Sequence, residues 1–193
     1  MSNFDFDEIL RRHNNDPTQI LSKYNYNDGS DIFYKINSLN PGDINGLNAI
    51  IDKIVLWKLN RMVYIDDATI IQLYSLKEIK NADDALNLYR DEVYQVLVTL
   101  LNSKGVRLAM ASTFLHFFNK NSFPIFDQRA YRVIYKRDYK ASTVSETNAE
   151  LYLDYLKKCI DYYNDNLNGL IQFSELDKYL YQIDIEAGNR VKM

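Results

Sequence analysis

The sequence predicts an all-α protein, a compact multi-helix domain, and three observations carry that expectation. Apolar residues recur at three- and four-residue intervals through most of the 193 positions. Only 6 glycines and 3 prolines are available, too few for a turn-rich β architecture. Hydrophobic residues make up 47% of the chain, enough to fill a sizeable core. A chain of this length is expected to form one domain over 1–193, at most with a second helical lobe packed closely on the first.

Each element has its own signal. Phe4 to His13 reads as a short amphipathic helix. Asp16-Pro17 reads as a cap followed by proline at the first helical position, opening a helix to about Tyr24. Asn27-Asp28-Gly29-Ser30 is a turn, Asp31 to Leu39 a short helix, and Asn40-Pro41-Gly42-Asp43 a second turn. A long helix follows from Ile44 to Met62, with Leu47, Ile50, Ile51, Ile54, Val55 and Leu59 on one face. Ala68 to Ile79 and Asp83 to Leu101 come next, the latter burying Val93, Val96, Leu97 and Leu100. Glu146 to Tyr163 is predicted helical, with Leu151, Tyr155 and Leu156 or Cys159 inward. Ser174-Glu175-Leu176-Asp177 resembles a capping box for a last helix to Glu186, which Gly188 stops.

Composition narrows the setting. The single Cys159 excludes an intramolecular disulfide and fits a reducing compartment. No signal-peptide pattern opens the chain, and no apolar run approaches the roughly 20 residues that cross a bilayer, so a cytoplasmic protein without a membrane partner is expected. The net charge of −3 argues against a general nucleic-acid coat protein. It does not preclude a local basic face, because screening limits charge effects to about 10 Å. Arg129, Arg132, Lys136, Arg137 and Lys140 lie close together against only Asp138, with Lys104 and Arg107 just upstream. They form either a solvated helix face or a phosphate-binding one.

The richest stretch runs from Ser103 to Arg137. Asn102-Ser103-Lys104-Gly105-Val106 interrupts two helical patterns, with Gly105 placed where the backbone needs positive φ or close approach. The helix N-terminus that follows directs unpaired amides outward, and its dipole favours an anion such as a DNA phosphate. A plain αα-hairpin with a glycine C-cap would use the same residues. The helix from Val106 to Phe118 spans about 20 Å. The eight residues from Asn119 to Phe126 reach at most about 26 Å, enough to bring Asp127 back beside the hairpin. Pro124 favours an extended approach, and Phe123, Ile125 and Phe126 anchor it. Asp127 then reads as an N-cap accepting from Arg129 or Ala130, as a catalytic carboxylate, or as both. An anion near a deoxyribose C1′ would stabilise the positive charge that develops as a glycosidic bond breaks, or orient the attacking water.

Lys104-Gly105-Val106-Arg107-Leu108-Ala109-Met110-Ala111-Ser112 resembles the hairpin and second helix of the helix-hairpin-helix DNA glycosylases, with the motif spanning residues 84–118. Phe123-Pro124-Ile125-Phe126-Asp127-Gln128-Arg129-Ala130 resembles the segment that delivers their essential aspartate. The flanking helices fit only as an all-α frame. The resemblance implies base excision from double-stranded DNA carrying a damaged or modified base, with Asp127 catalytic and Lys104, Gly105, Val106, Arg107, Arg129 and Arg132 binding DNA. It implies a monomer with no cofactor beyond the monovalent cation that the family's hairpin commonly holds.

Two departures shape that expectation. The family's second hairpin glycine is replaced by Arg107, which can itself meet a phosphate. The position of the lyase lysine is Ala109, so no Schiff base can form there and the resemblance implies a monofunctional enzyme. No four-cysteine cluster for an iron–sulfur site is present. Neither histidine, His13 or His116, has zinc-like company, and both read as structural or surface residues, as Cys159 and Trp57 read as core. Two other functions fit the same sequence: a non-catalytic helix-hairpin-helix DNA-binding module, and a helical interaction protein without a nucleic-acid role. Repair and defence against foreign DNA are both open as settings.

Overall fold

The computed structural model describes residues 5–24, 30–40, 42–58 and 63–190. They form eleven α-helices: α1 (Phe6–Arg12), α2 (Pro17–Leu21), α3 (Ser30–Ser38), α4 (Ile44–Lys58), α5 (Asp67–Ser75), α6 (Ala82–Asn87), α7 (Arg90–Asn102), α8 (Leu108–Phe118), α9 (Gln128–Tyr135), α10 (Ser145–Asn166) and α11 (Leu176–Glu186). Among the described residues no strand forms; two isolated bridges are the only β-type pairing, and no helix is long and apolar enough to cross a membrane.

Capping chemistry sets most helix starts. Asp5, Asp16 and Asp66 accept amide bonds at the heads of α1, α2 and α5, and Asp43 accepts from Gly46 at 2.9 Å at the head of α4. The predicted helix over Asp83–Leu101 is two helices. Asn81 caps α6 through the Asp84 amide at 2.8 Å. The chain bends at Leu88-Tyr89, whose amides both fall on the Asp84 carbonyl. Ala85 and Val93 stand eight residues apart, about 80° out of phase on a straight helix; the bend lets both α6 and α7 pack on α10. The last helix is entered by a 3₁₀ turn at Phe173–Glu175, where Glu175 accepts from the Gln172 amide, two residues ahead of the predicted box. Gly188, at φ 77°, ends it as expected. Trp57, Leu59 to Met62 and the Asn27 to Gly29 turn lie outside the described side chains or residues.

The centre of the fold is α8, which has no Asp, Glu, Lys or Arg and is buried from Met110 to Phe118. A helix apolar on every face must be enclosed, and α3, α4, α5, α7 and α10 enclose it. At the other end, α11 packs on α9, α2 and α1, so the first two helices close onto the last. Glu186 fastens that closure by pairing with His13 and Lys23.

Candidate functional site

Three structural pieces meet at the N-terminus of α8. The first is the turn itself. Gly105 takes φ 85°, the left-handed region the sequence requires of it. The Val106 amide closes the turn on the Ser103 carbonyl at 3.2 Å, and the Tyr64 amide holds the Lys104 carbonyl at 3.1 Å. Arg107 is extended at φ −122° and ψ 171°, so α8 begins at Leu108 rather than Val106. No side chain caps this helix. The Met110 and Ala111 amides turn back to the Arg107 carbonyl, whereas those of Leu108 and Ala109 have no acceptor among the described residues. Lys104 and Arg107 are exposed and make no ion pair among the described residues, while the Val106 side chain is buried.

The second piece is the return segment. Ser122 to Phe126 are all buried, although a buried loop must find partners for its backbone polar groups. Side chains supply them. His116 Nδ1 hydrogen-bonds with the Phe123 carbonyl at 2.9 Å. Tyr152 and Tyr155 donate their hydroxyls to the carbonyls of Pro124 and Ile125 at 3.0 and 3.1 Å. The Phe126 amide donates to Ser112 Oγ at 2.9 Å. Ser112 is five positions into α8, so this last bond fastens the end of the segment to the beginning of the hairpin helix. Burial pushes both tyrosine hydroxyls well above their ordinary pKa, keeping them neutral donors.

Asp127 follows as the N-cap of α9. It accepts from the Ala130 amide at 2.8 Å, one of the two partners the sequence offered, and is half-buried. Its neighbour Phe126 meets the Tyr139 ring edge-on at 5.0 Å.

The third piece is the loop from Tyr139 to Ser145. Together with the hairpin turn and the first residues of α8 it encloses a cavity of about 470 Å³. Gly105, Arg107, Leu108, Ala109, Tyr139, Ser142 and Asn148 are among the residues that line it; Asp127 is not part of the lining. Burial raises the Tyr139 hydroxyl pKa, with the Ser142 amide and the Arg107 charge pulling it back. Ser145 Oγ donates to Asn102 Oδ1 at 2.7 Å, tying the start of α10 to the end of α7.

Of the basic face expected after Asp127, Arg132 is buried and Arg129 partly buried, while Lys136, Arg137 and Lys140 are exposed. Arg132 is 1% exposed; its Nη1 donates to both Asp184 oxygens at 3.1 and 2.9 Å and its Nε to Asp138 at 2.9 Å. Arg129 donates to Asp184 at 2.9 Å and to the Asn189 carbonyl at 2.9 Å, and lies over the Tyr181 ring. Asp184, itself 0% exposed, holds both of these arginines, which the sequence reading assigned to DNA, against α11. Lys136 rests on Phe6 and Arg137 on Tyr135. Sequence reading placed the turn at Gly105 and the cap at Asp127 and had Tyr155 inward, but it gave no role to Ser112, Tyr152, Tyr139, Asn148 or the exposed Tyr64 beside the turn. Polar side chains in otherwise apolar helical stripes were the available signal.

No protein-family model matches the chain, and neither the curated proteins nor the solved structures contain a significant match.

Proposed function

We propose that the chain is a monofunctional DNA N-glycosylase, which flips a damaged or modified nucleotide from the duplex and hydrolyses its N-glycosidic bond with the help of Asp127. The observation that carries this reading is the Ser112–Phe126 bond. It joins the carboxylate-bearing segment to the same helix whose open N-terminus, with Lys104 and Arg107, suits a phosphate. DNA held there would bring a sugar towards Asp127, whose ionised oxygens stabilise the oxocarbenium-like transition state. Ala109 offers no amine at the hairpin helix, so water is the nucleophile and an abasic site the product.

The test is release of base, read as alkali-sensitive strand breaks, from oligonucleotides carrying oxidised, alkylated, deaminated or bulky modified bases. Asp127→Asn is expected to lose at least about 100-fold in rate, as for a removed charge-stabilising group, while keeping its fold because asparagine caps nearly as well. Activity that survives in this variant overturns the assignment. A borohydride-trapped enzyme–DNA adduct would contradict the monofunctional mechanism.

One observation favours a second reading, a non-catalytic DNA-binding module: the Asp127 carboxylate serves as a helix cap and does not line the cavity. Salt-dependent duplex binding with no base release from any of these substrates would support it.

A further inference from the structure

The cavity beside the hairpin contains a hydrogen-bonding group that the fold leaves unused. Asn148 is 7% exposed and lines the cavity. Its Nδ2 donates to the Ser142 carbonyl at 3.1 Å, but its Oδ1 is buried with no partner. The amide orientation is fixed, because a flip would set Oδ1 against the Ser142 oxygen. A buried acceptor without a donor is costly, and native proteins rarely retain one without a use. The same cavity is lined by Arg107, Leu108 and Ala109, and the Leu108 and Ala109 amides, without an acceptor among the described residues, and the Arg107 guanidinium together suit an anion. Tyr139 adds an aromatic wall. The volume, about 470 Å³, falls in the range of small-ligand sites.

An anion cradle, an aromatic wall and a lone buried acceptor together describe one ligand chemistry. We propose that this cavity holds a single unstacked DNA nucleotide, its phosphate on the Leu108 and Ala109 amides and Arg107, its base beside Tyr139 with an exocyclic amine donating to Asn148 Oδ1. The proposal rests on the second, non-catalytic DNA-binding reading, because Asp127 does not line this cavity, and adds the base class to it. Asn148 selects amino-bearing bases, because a carbonyl at that edge would set acceptor against acceptor.

The full chain is tested by fluorescence anisotropy on duplexes carrying one bulged nucleotide: cytosine, adenine, thymine, uracil or pyrimidin-2-one, which is cytosine without its amine. Bulged cytosine and adenine are expected to bind at least about tenfold more tightly than the other three, the factor expected of a hydrogen bond to a buried acceptor. In Asn148→Leu the preference should collapse to near unity while fully paired duplex binds as before. The pyrimidin-2-one comparison removes the bond from the ligand side, so it stands even if the variant folds poorly. Binding that is salt-dependent and weakened by Arg107→Glu, yet equal for cytosine and pyrimidin-2-one, overturns this proposal and leaves the DNA-binding reading intact. Absence of any salt-dependent binding to any of the duplexes overturns both.

Discussion

Asp184 shows how far a single side chain can redirect a whole run of charge. In sequence, Arg129 and Arg132 belong to a basic cluster beside a hairpin. In the fold they turn inward because one carboxylate on α11, fully buried, accepts from both, with Asn189 Nδ2 donating to it at 2.9 Å. A buried pair adds little net stability when intact, but removing one partner leaves the other charge uncompensated. Asp184→Ala leaves Arg132 to Asp138 and Arg129 to the Asn189 carbonyl, removes the fully buried carboxylate they share, and is expected to cost up to about 3–5 kcal/mol, read as a lowered urea midpoint without a change in slope. An Asp184→Ala protein as stable as the wild type would mean that the arginines reach solvent, and would return them to the candidate DNA-binding surface. The opposite case is His116, which sequence alone assigned to structure: it is 4% exposed and spends its Nδ1 on the Phe123 carbonyl.

At the scale of elements, what was legible in the sequence follows from whether the deciding interaction is local. Asp16-Pro17, Asp66, Gly105, Asp127 and Gly188 act within four residues of themselves, and each sits where its residue type predicts. The break between α6 and α7 was not legible, because it answers to packing on α10 some sixty residues away. The return segment was legible only as a length and a proline. Its buried carbonyls are satisfied by Tyr152 and Tyr155 from α10 and His116 from α8, and no local pattern announces such pairings. Ser112 is the sharpest test of that element. Ser112→Ala leaves the buried Phe126 amide without an acceptor and is expected to cost about 1–3 kcal/mol, measured by thermal or urea unfolding. Because the same bond positions Asp127, any base-release activity should fall by more than the loss of folded protein accounts for. Activity per folded molecule equal to wild type would show that the segment keeps its register without this bond.

For the molecule as a whole, the question is how a chain of net charge −3 could hold a polyanion. The answer lies in which cations the fold leaves free. Arg129 and Arg132 are committed to Asp184, Arg90 to Glu150, Arg12 to Glu8 and Lys23 to Glu186. Near the cavity Lys104, Arg107 and Lys140 are exposed and make no ion pair among the described residues, while the exposed Lys136 and Arg137 lie on the Phe6 and Tyr135 rings. Each phosphate neutralised by such a group releases condensed counterions and adds about −0.9 to the slope of log affinity against log salt. Three free cations therefore predict a slope of about −2 to −3, far shallower than the value near −6 expected if the whole basic run from Arg129 to Lys140 faced DNA together with the hairpin. Titrating a fluorescent duplex across a salt series measures it. Arg107→Ala should make the slope shallower by about one, and Lys140→Ala should do the same. Arg129→Ala should leave the slope unchanged, because that arginine is occupied within the protein. A steep slope that Arg129→Ala reduces would mean that the Asp184 cluster opens when DNA binds, and that α9 leaves α11 to meet the duplex.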